Sequence, residues 1–89
     1  MKSIITVIGP DRVGIIAEVC TLLAQLHINV IDISQTIMHG MFTMIMFVEQ
    51  VEGSPAFDEV QRRLSQKGTE MGVEIRVQRE DIFNAMHRV

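Results

Sequence analysis

Residues 5–17 read ITVIGPDRVGIIA, and the change of hydrophobic period within this stretch decides the fold. Isoleucine, valine and threonine dominate its first part, which favours a β-strand over residues 3–8. The Gly-Pro-Asp triplet at residues 9–11 ends that strand, because proline has no backbone N–H to donate. Apolar residues then recur at three- and four-residue spacing, which predicts a helix over residues 15–27.

The spacing of apolar residues predicts four further elements. Residues 29–38 alternate isoleucine with polar residues, which predicts a strand with one buried and one polar face, and His-Gly at 39–40 predicts a tight hairpin with positive φ. Residues 41–51 are apolar on both faces and indicate a strand inside a sheet. Residues 54–72 begin with Ser-Pro and end in glycine, as a helix does. Residues 73–79 alternate strictly and predict an edge strand.

This order of elements predicts an α+β fold, a ferredoxin-like βαββαβ sandwich. Right-handed crossovers place both helices on one face of a four-stranded antiparallel sheet of order 4-1-3-2. That order puts the first and third strands in the centre, and these are the two strands that are apolar on both faces. The tail carries apolar residues at helical spacing, so we expect one domain over 1–79 and a short helical extension over 80–89.

Composition limits the function classes. A chain of 89 residues suits one compact domain, and a net charge of −3 disfavours nucleic acid as a partner. The basic residues cluster only at Arg62, Arg63 and Lys67, on the expected wet face of a helix. No segment approaches the ~18 apolar residues of a membrane span, so no membrane contact is expected. Cys20 is the single cysteine, which excludes an intramolecular disulfide and fits a reducing cytoplasm.

No catalytic constellation is visible in the sequence. The three histidines lack metal-ligand spacing, and no serine or histidine belongs to a nucleophile motif. We therefore expect no enzyme activity, no metal and no cofactor.

The turn before the first helix is the candidate binding site. Free backbone N–H groups at a helix start can hold a carboxylate, and Gly14 lets a ligand approach the main chain. Asp11 is expected either to cap the helix or to receive a ligand's ammonium group. Arg12 is expected either to point into solvent or to hold a carboxylate.

Two stretches resemble the ACT-domain family. The strand and Asp-Arg-x-Gly-hydrophobic turn of residues 5–17 look like its opening, and LHINVIDI at residues 26–33 is similar to its second signature, in which asparagine joins helix to strand. The resemblance covers nearly the whole chain. Within the family, the chain is similar in character to small stand-alone bacterial and archaeal ACT proteins, whose relatives include the regulator of the glycine-cleavage system. Many ACT domains have proline where this chain has Val13, which leaves the turn less rigid here.

The resemblance implies a regulatory module that binds an amino acid or similar small molecule at a homodimer interface. The ligand would lie between the first turn of one chain and the helix-to-strand junction of another. Carried over by matching positions, the ligand-binding residues are Asp11, Arg12, Gly14, Ile15, Asn29 and Val30. The competing hypothesis is a protein–protein adaptor without a small ligand, acting on an enzyme or a transcription factor through the apolar sheet face.

Overall fold

The computed structural model describes residues 1–81 of the chain. Its elements are β1 (Lys2–Pro10), α1 (Ile15–Gln25), β2 (Ile28–Met38), β3 (Met41–Gln50), α2 (Phe57–Met71) and β4 (Glu74–Arg79). The strands pair antiparallel in the order β2-β3-β1-β4. The predicted ferredoxin-like fold and strand order are therefore confirmed. The predicted C-terminal helix lies outside the described residues from position 82 onward, and the domain boundary at residue 79 stays a prediction.

The core lies between the sheet and the two helices. Alternate residues of the central strands face it, Ile5 and Val7 from β1 and Met44 and Met46 from β3, and all four are fully buried. Leu64 of α2 closes the core from the helix layer. Burying such side chains removes apolar surface from water, which is the main favourable term in folding. The helices therefore pack against the sheet through the apolar stripes that the sequence predicts.

The two central strands also present apolar residues on the face away from the helices. Ile4, paired with Phe47 and Gln78, lies on that face and is buried, whereas Ile8 and Phe47 are 40% and 38% exposed. The predicted apolar character of both faces is confirmed for the central strands. We call this face of the sheet, which carries Ile4, Ile8 and Phe47, the open face.

Gly68 lies within α2 where the helix comes closest to the chain entering β4. Its carbonyl accepts the N–H of Val73 at 2.9 Å. A Cβ at this position would lie 2.7 Å from the Val73 carbonyl oxygen and 3.0 Å from Cγ1 of Ile75. The helix interior therefore uses glycine for close backbone packing, although glycine is a poor helix former.

Gly68→Ala is expected to lower the free energy of unfolding by up to about 2 kcal/mol. Helix propensity alone favours alanine by about 1 kcal/mol, but the contact with rigid backbone costs about 1–3 kcal/mol. Urea denaturation measures the difference. Gln66→Ala, exposed on the same helix, is the control and should change stability by less than about 0.5 kcal/mol. A Gly68→Ala protein more stable than wild type would contradict the close approach.

Two details differ from the sequence prediction. Strand β2 has no buried face along its second half, since Ile33 and Ile37 are 40% and 56% exposed. β2 is an edge strand, and its bulge between Val30 and Asp32 breaks the alternation. A single chain therefore leaves Ile33 and Ile37 of β2 partly uncovered.

The predicted start of the second helix at Ser54 is also wrong, because α2 begins at Phe57. The Ser54 hydroxyl donates instead to the carbonyl of His27 at 2.6 Å and accepts the N–H of Val51 at 3.2 Å. His27 has a left-handed backbone, with φ of 57°, so its carbonyl turns away from the end of α1 towards this serine.

Candidate functional site

The candidate site lies at the end of the sheet where β1 gives way to α1. The main-chain N–H of Asp11 donates to the carbonyl of Gly40 at 2.8 Å. Gly40 belongs to the β2–β3 hairpin, where His39 and Gly40 have φ values of 53° and 76°. Positive φ at both central residues is the geometry of a tight two-residue hairpin and confirms the prediction for this turn. The hairpin thus anchors the turn before α1.

The first turn of α1 leaves backbone donors open. Gly14 is the N-cap, with φ of 90°, and its carbonyl accepts the N–H of Glu18 at 2.9 Å. No side chain caps the helix, so the capping alternative for Asp11 is wrong. Within residues 1–81, the N–H groups of residues 15–17 have no main-chain acceptor. Such groups, together with the helix dipole, attract an anion.

A groove of about 450 Å³ runs from this turn to β2. Its walls combine charged residues at the turn, the start of α1, and an amide and apolar side chains from β2 and β3. It is lined by Asp11, Arg12, Gly14, Ile15, Ile16, Ala17, Gln35, Ile37 and Phe42. The structure therefore brings together four of the six residues that the sequence points to, and the volume falls in the range of small-molecule sites, roughly 300–1,000 Å³.

Arg12 is already paired within the chain. Its Nη1 lies 2.6 Å from Oε2 of Glu18, whose other oxygen lies 3.7 Å from Nζ of Lys67. Both side chains of the Arg12–Glu18 pair are partly exposed, so the pair contributes little to stability. A ligand carboxylate would compete with Glu18 for this guanidinium, whereas the backbone donors of α1 face no such competitor.

Asn29 and Val30 lie at the other end of β2. Asn29 is exposed and pairs in register with Glu49, far from the hairpin. Asn29 and Gln35 are six positions apart, which is about 20 Å along a strand. The two predicted junction residues therefore do not line the groove of their own chain.

Five groove residues were not predicted: Ile16 and Ala17, which follow Ile15 on α1, and Gln35, Ile37 and Phe42 from the sheet. Gln35 and Ile37 lie opposite Met44 and Phe42 in the register, so they project towards the helix layer. One signal was available: Gln35 has the parity of Ile33 and Ile37 and interrupts their apolar row. A polar residue on the apolar face of a strand marks a surface that contacts water or a ligand.

Three other ion pairs within residues 1–81 are local, since each joins side chains two or three positions apart. Arg62 donates to Glu59 one turn earlier on α2, and this hydrogen bond lowers the pKa of the Glu59 carboxyl group. In the same part of the chain, no group of three or more His, Cys, Asp or Glu side chains is placed to hold a metal ion. Neither described helix has the length and apolarity that a membrane crossing requires.

Comparison with known proteins gives one consistent result. A family model described as the ACT domain matches residues 3–78. A UPF0237 protein of Listeria innocua is 52% identical over 89 residues, covering 100% of both chains. The solved ACT domain protein from Streptococcus pneumoniae superposes with a TM-score of 0.83 at 38% identity, covering 98% of each chain. A protein described as a glycine cleavage system transcriptional repressor reaches 0.77 at 26% identity, covering 86% of this chain and 44% of its own.

Proposed function

The chain belongs to the ACT-domain family of regulatory modules, and from this premise we propose that it is a non-catalytic sensor whose groove binds an amino acid between two chains. The observation that carries the proposal is the groove itself. It joins the open backbone donors of α1 to an acidic side chain, Asp11, within one small volume. These two features match the two charged ends of a zwitterion.

The ligand's carboxylate is placed at the N–H groups of residues 15–17, where the dipole of α1 favours negative charge. Its ammonium group is placed at Asp11, whose side chain lines the groove and does not cap the helix. Gly14 supports this arrangement because no Cβ stands between the ligand and the backbone. Arg12 contributes a second contact when the ligand displaces Glu18.

A second chain is placed along the edge strand β2, and together the two chains complete the groove. Ile33 and Ile37 are exposed on this edge, where a strand with free N–H and C=O groups invites pairing. β2 spans Ile28–Met38, so an antiparallel two-fold pairing is centred near Ile33. It moves the start of the partner's β2, with the partner's Asn29 and the partner's Val30, towards the groove beside Gln35.

A thermal-shift screen with the twenty amino acids tests the proposed function. A ligand at 100-fold its dissociation constant stabilises the native state by about 2.7 kcal/mol, so at least one amino acid is expected to raise Tm clearly. Absence of any shift across the whole set would contradict the sensor proposal.

An adaptor function is the second candidate, and the open face favours it. Met41 is 47% exposed on this face, where Ile8 and Phe47 are also partly exposed, so a protein partner would find apolar side chains there. The adaptor predicts that no amino acid changes Tm in the same screen. The two functions therefore give opposite results in one experiment.

The proposed setting is the cytoplasm, with an enzyme or a transcription factor as effector. The single thiol, Cys20, is half-buried on α1 and suits a compartment that keeps cysteines reduced. In this proposal the ligand changes the affinity for the effector, and the effector changes the affinity for the ligand by the same factor.

A further inference from the structure

The chemistry of the groove restricts the class of amino acid, and this inference rests on the proposed function. We propose that the ligand has an uncharged side chain and that Gln35 is the residue that enforces this choice. The groove has a charged end and an uncharged end. Asp11 and Arg12 lie at the turn, whereas Gln35, Ile37 and Phe42 form the end on the sheet.

The charged end is used by the α-ammonium and α-carboxylate groups. Asp11 matches the ammonium group, while Arg12, paired with Glu18 at 2.6 Å in the free chain, turns to the α-carboxylate when the ligand displaces Glu18. With both ligand charges matched at the turn, the ligand's side chain extends from its α-carbon towards β2. The uncharged end therefore receives the side chain.

The uncharged end has no partner for an ionised side chain. Its walls are the apolar groups of Ile16, Ile37 and Phe42 and the neutral amide of Gln35. Glu18 and Lys67 do not line the groove; they line a neighbouring depression along α1 with Thr21 and Gln25. The two residues that a partner chain would add, asparagine and valine, are also uncharged. Burying an unpaired charge is unfavourable, so acidic and basic side chains are rejected.

Gln35 is the position at which this selectivity can be changed. It lies on the helix-facing side of β2, opposite the buried Met44, and no hydrogen bond holds its amide within residues 1–81. A charge introduced there would enter the groove. Ser34 is the matched control, because adjacent residues of a strand point to opposite faces and Ser34 lies opposite Ile45 on the open face.

The experiment compares Gln35→Glu with Ser34→Glu, using leucine, glutamine, glutamate and lysine as probes in calorimetric titrations. For wild type, we expect leucine or glutamine to bind at least about tenfold more tightly than glutamate or lysine, a difference of about 1.4 kcal/mol. Gln35→Glu is expected to reverse the preference towards lysine, whereas Ser34→Glu keeps the wild-type order.

The outcomes of this experiment distinguish failure of the ligand-class inference, of the role of Gln35 and of the sensor function. Wild-type protein that binds glutamate or lysine as tightly as leucine and glutamine overturns the inference and leaves the sensor function intact. Equal changes in Gln35→Glu and Ser34→Glu overturn the role of Gln35, because the effect is then one of net charge. Failure of all twenty amino acids to bind wild type removes the sensor function and this inference with it.

Discussion

Replacing Ile33 with lysine is expected to convert the proposed dimer into a monomer at micromolar concentration. Ile33 lies near the centre of the exposed edge of β2, and a two-fold interface carries the substitution twice. In each copy the substitution removes an apolar contact and desolvates a lysine, at a cost of about 1.5 kcal/mol. The dimerisation free energy therefore falls by about 3 kcal/mol, which makes the dimer roughly 100-fold weaker. Sedimentation velocity measures the change. Amino-acid binding should weaken with the dimer, since the groove loses its second wall.

Ile8→Lys is the matched control for this experiment. Ile8 and Ile33 are both 40% exposed, but Ile8 lies on a central strand and faces away from the helices. Pairing along the edge of β2 predicts that Ile8→Lys remains a dimer. A monomeric Ile8→Lys protein with a dimeric Ile33→Lys protein would show instead that two chains meet through their open faces, and the proposed groove would then have no second wall.

Replacing Asp11 with asparagine is expected to weaken amino-acid binding by about 10–150-fold. A hydrogen bond to a charged group contributes about 1.5–3 kcal/mol, and asparagine keeps the size of the side chain while removing its charge. The main-chain bond from residue 11 to Gly40 does not depend on the side chain, so the turn is retained. The stability of the ligand-free protein should therefore be unchanged.

The control for Asp11→Asn is Asp58→Asn. Asp58 is an exposed aspartate at the start of α2, where its carboxylate accepts the N–H of Glu59 at 3.0 Å, and it does not line the groove. Titration calorimetry with the amino acid found in the screen should give wild-type affinity for this variant. Equal losses for both variants, or none for Asp11→Asn, would place the ammonium group elsewhere.

The fold could be predicted from the sequence because its determinants are local. Strands β1 and β3 are apolar on both faces, and that property alone assigns them to the centre of the sheet. Gly72, at φ of 76° after the last residue of α2, ends the helix as the sequence indicates. The start of α2 was predicted too early because of a long-range contact: the Ser54 hydroxyl donates to the carbonyl of His27, 27 positions earlier in the chain.

The candidate site could be predicted only on the side formed by the turn. Asp11, Arg12, Gly14 and Ile15 are neighbours in sequence, and the open donors follow from the start of a helix. Gln35 and Phe42 reach the same groove from strands that begin more than ten residues later, so no local pattern joins them to the turn. The Arg12–Glu18 pair was also missed, because it depends on where the first turn of α1 places Glu18.

The central claim, a groove that takes residues from two chains, is tested most directly by mixing two defective variants. Chains carrying Asp11→Asn and chains carrying Asn29→Ala each form homodimers in which every site has one defect. A heterodimer concentrates both defects in one site and leaves the other site intact, so random pairing restores about a quarter of all sites. Titration calorimetry of the equilibrated mixture is predicted to show this fraction at wild-type affinity. No recovery, in a mixture where native mass spectrometry shows heterodimers, would contradict a shared site.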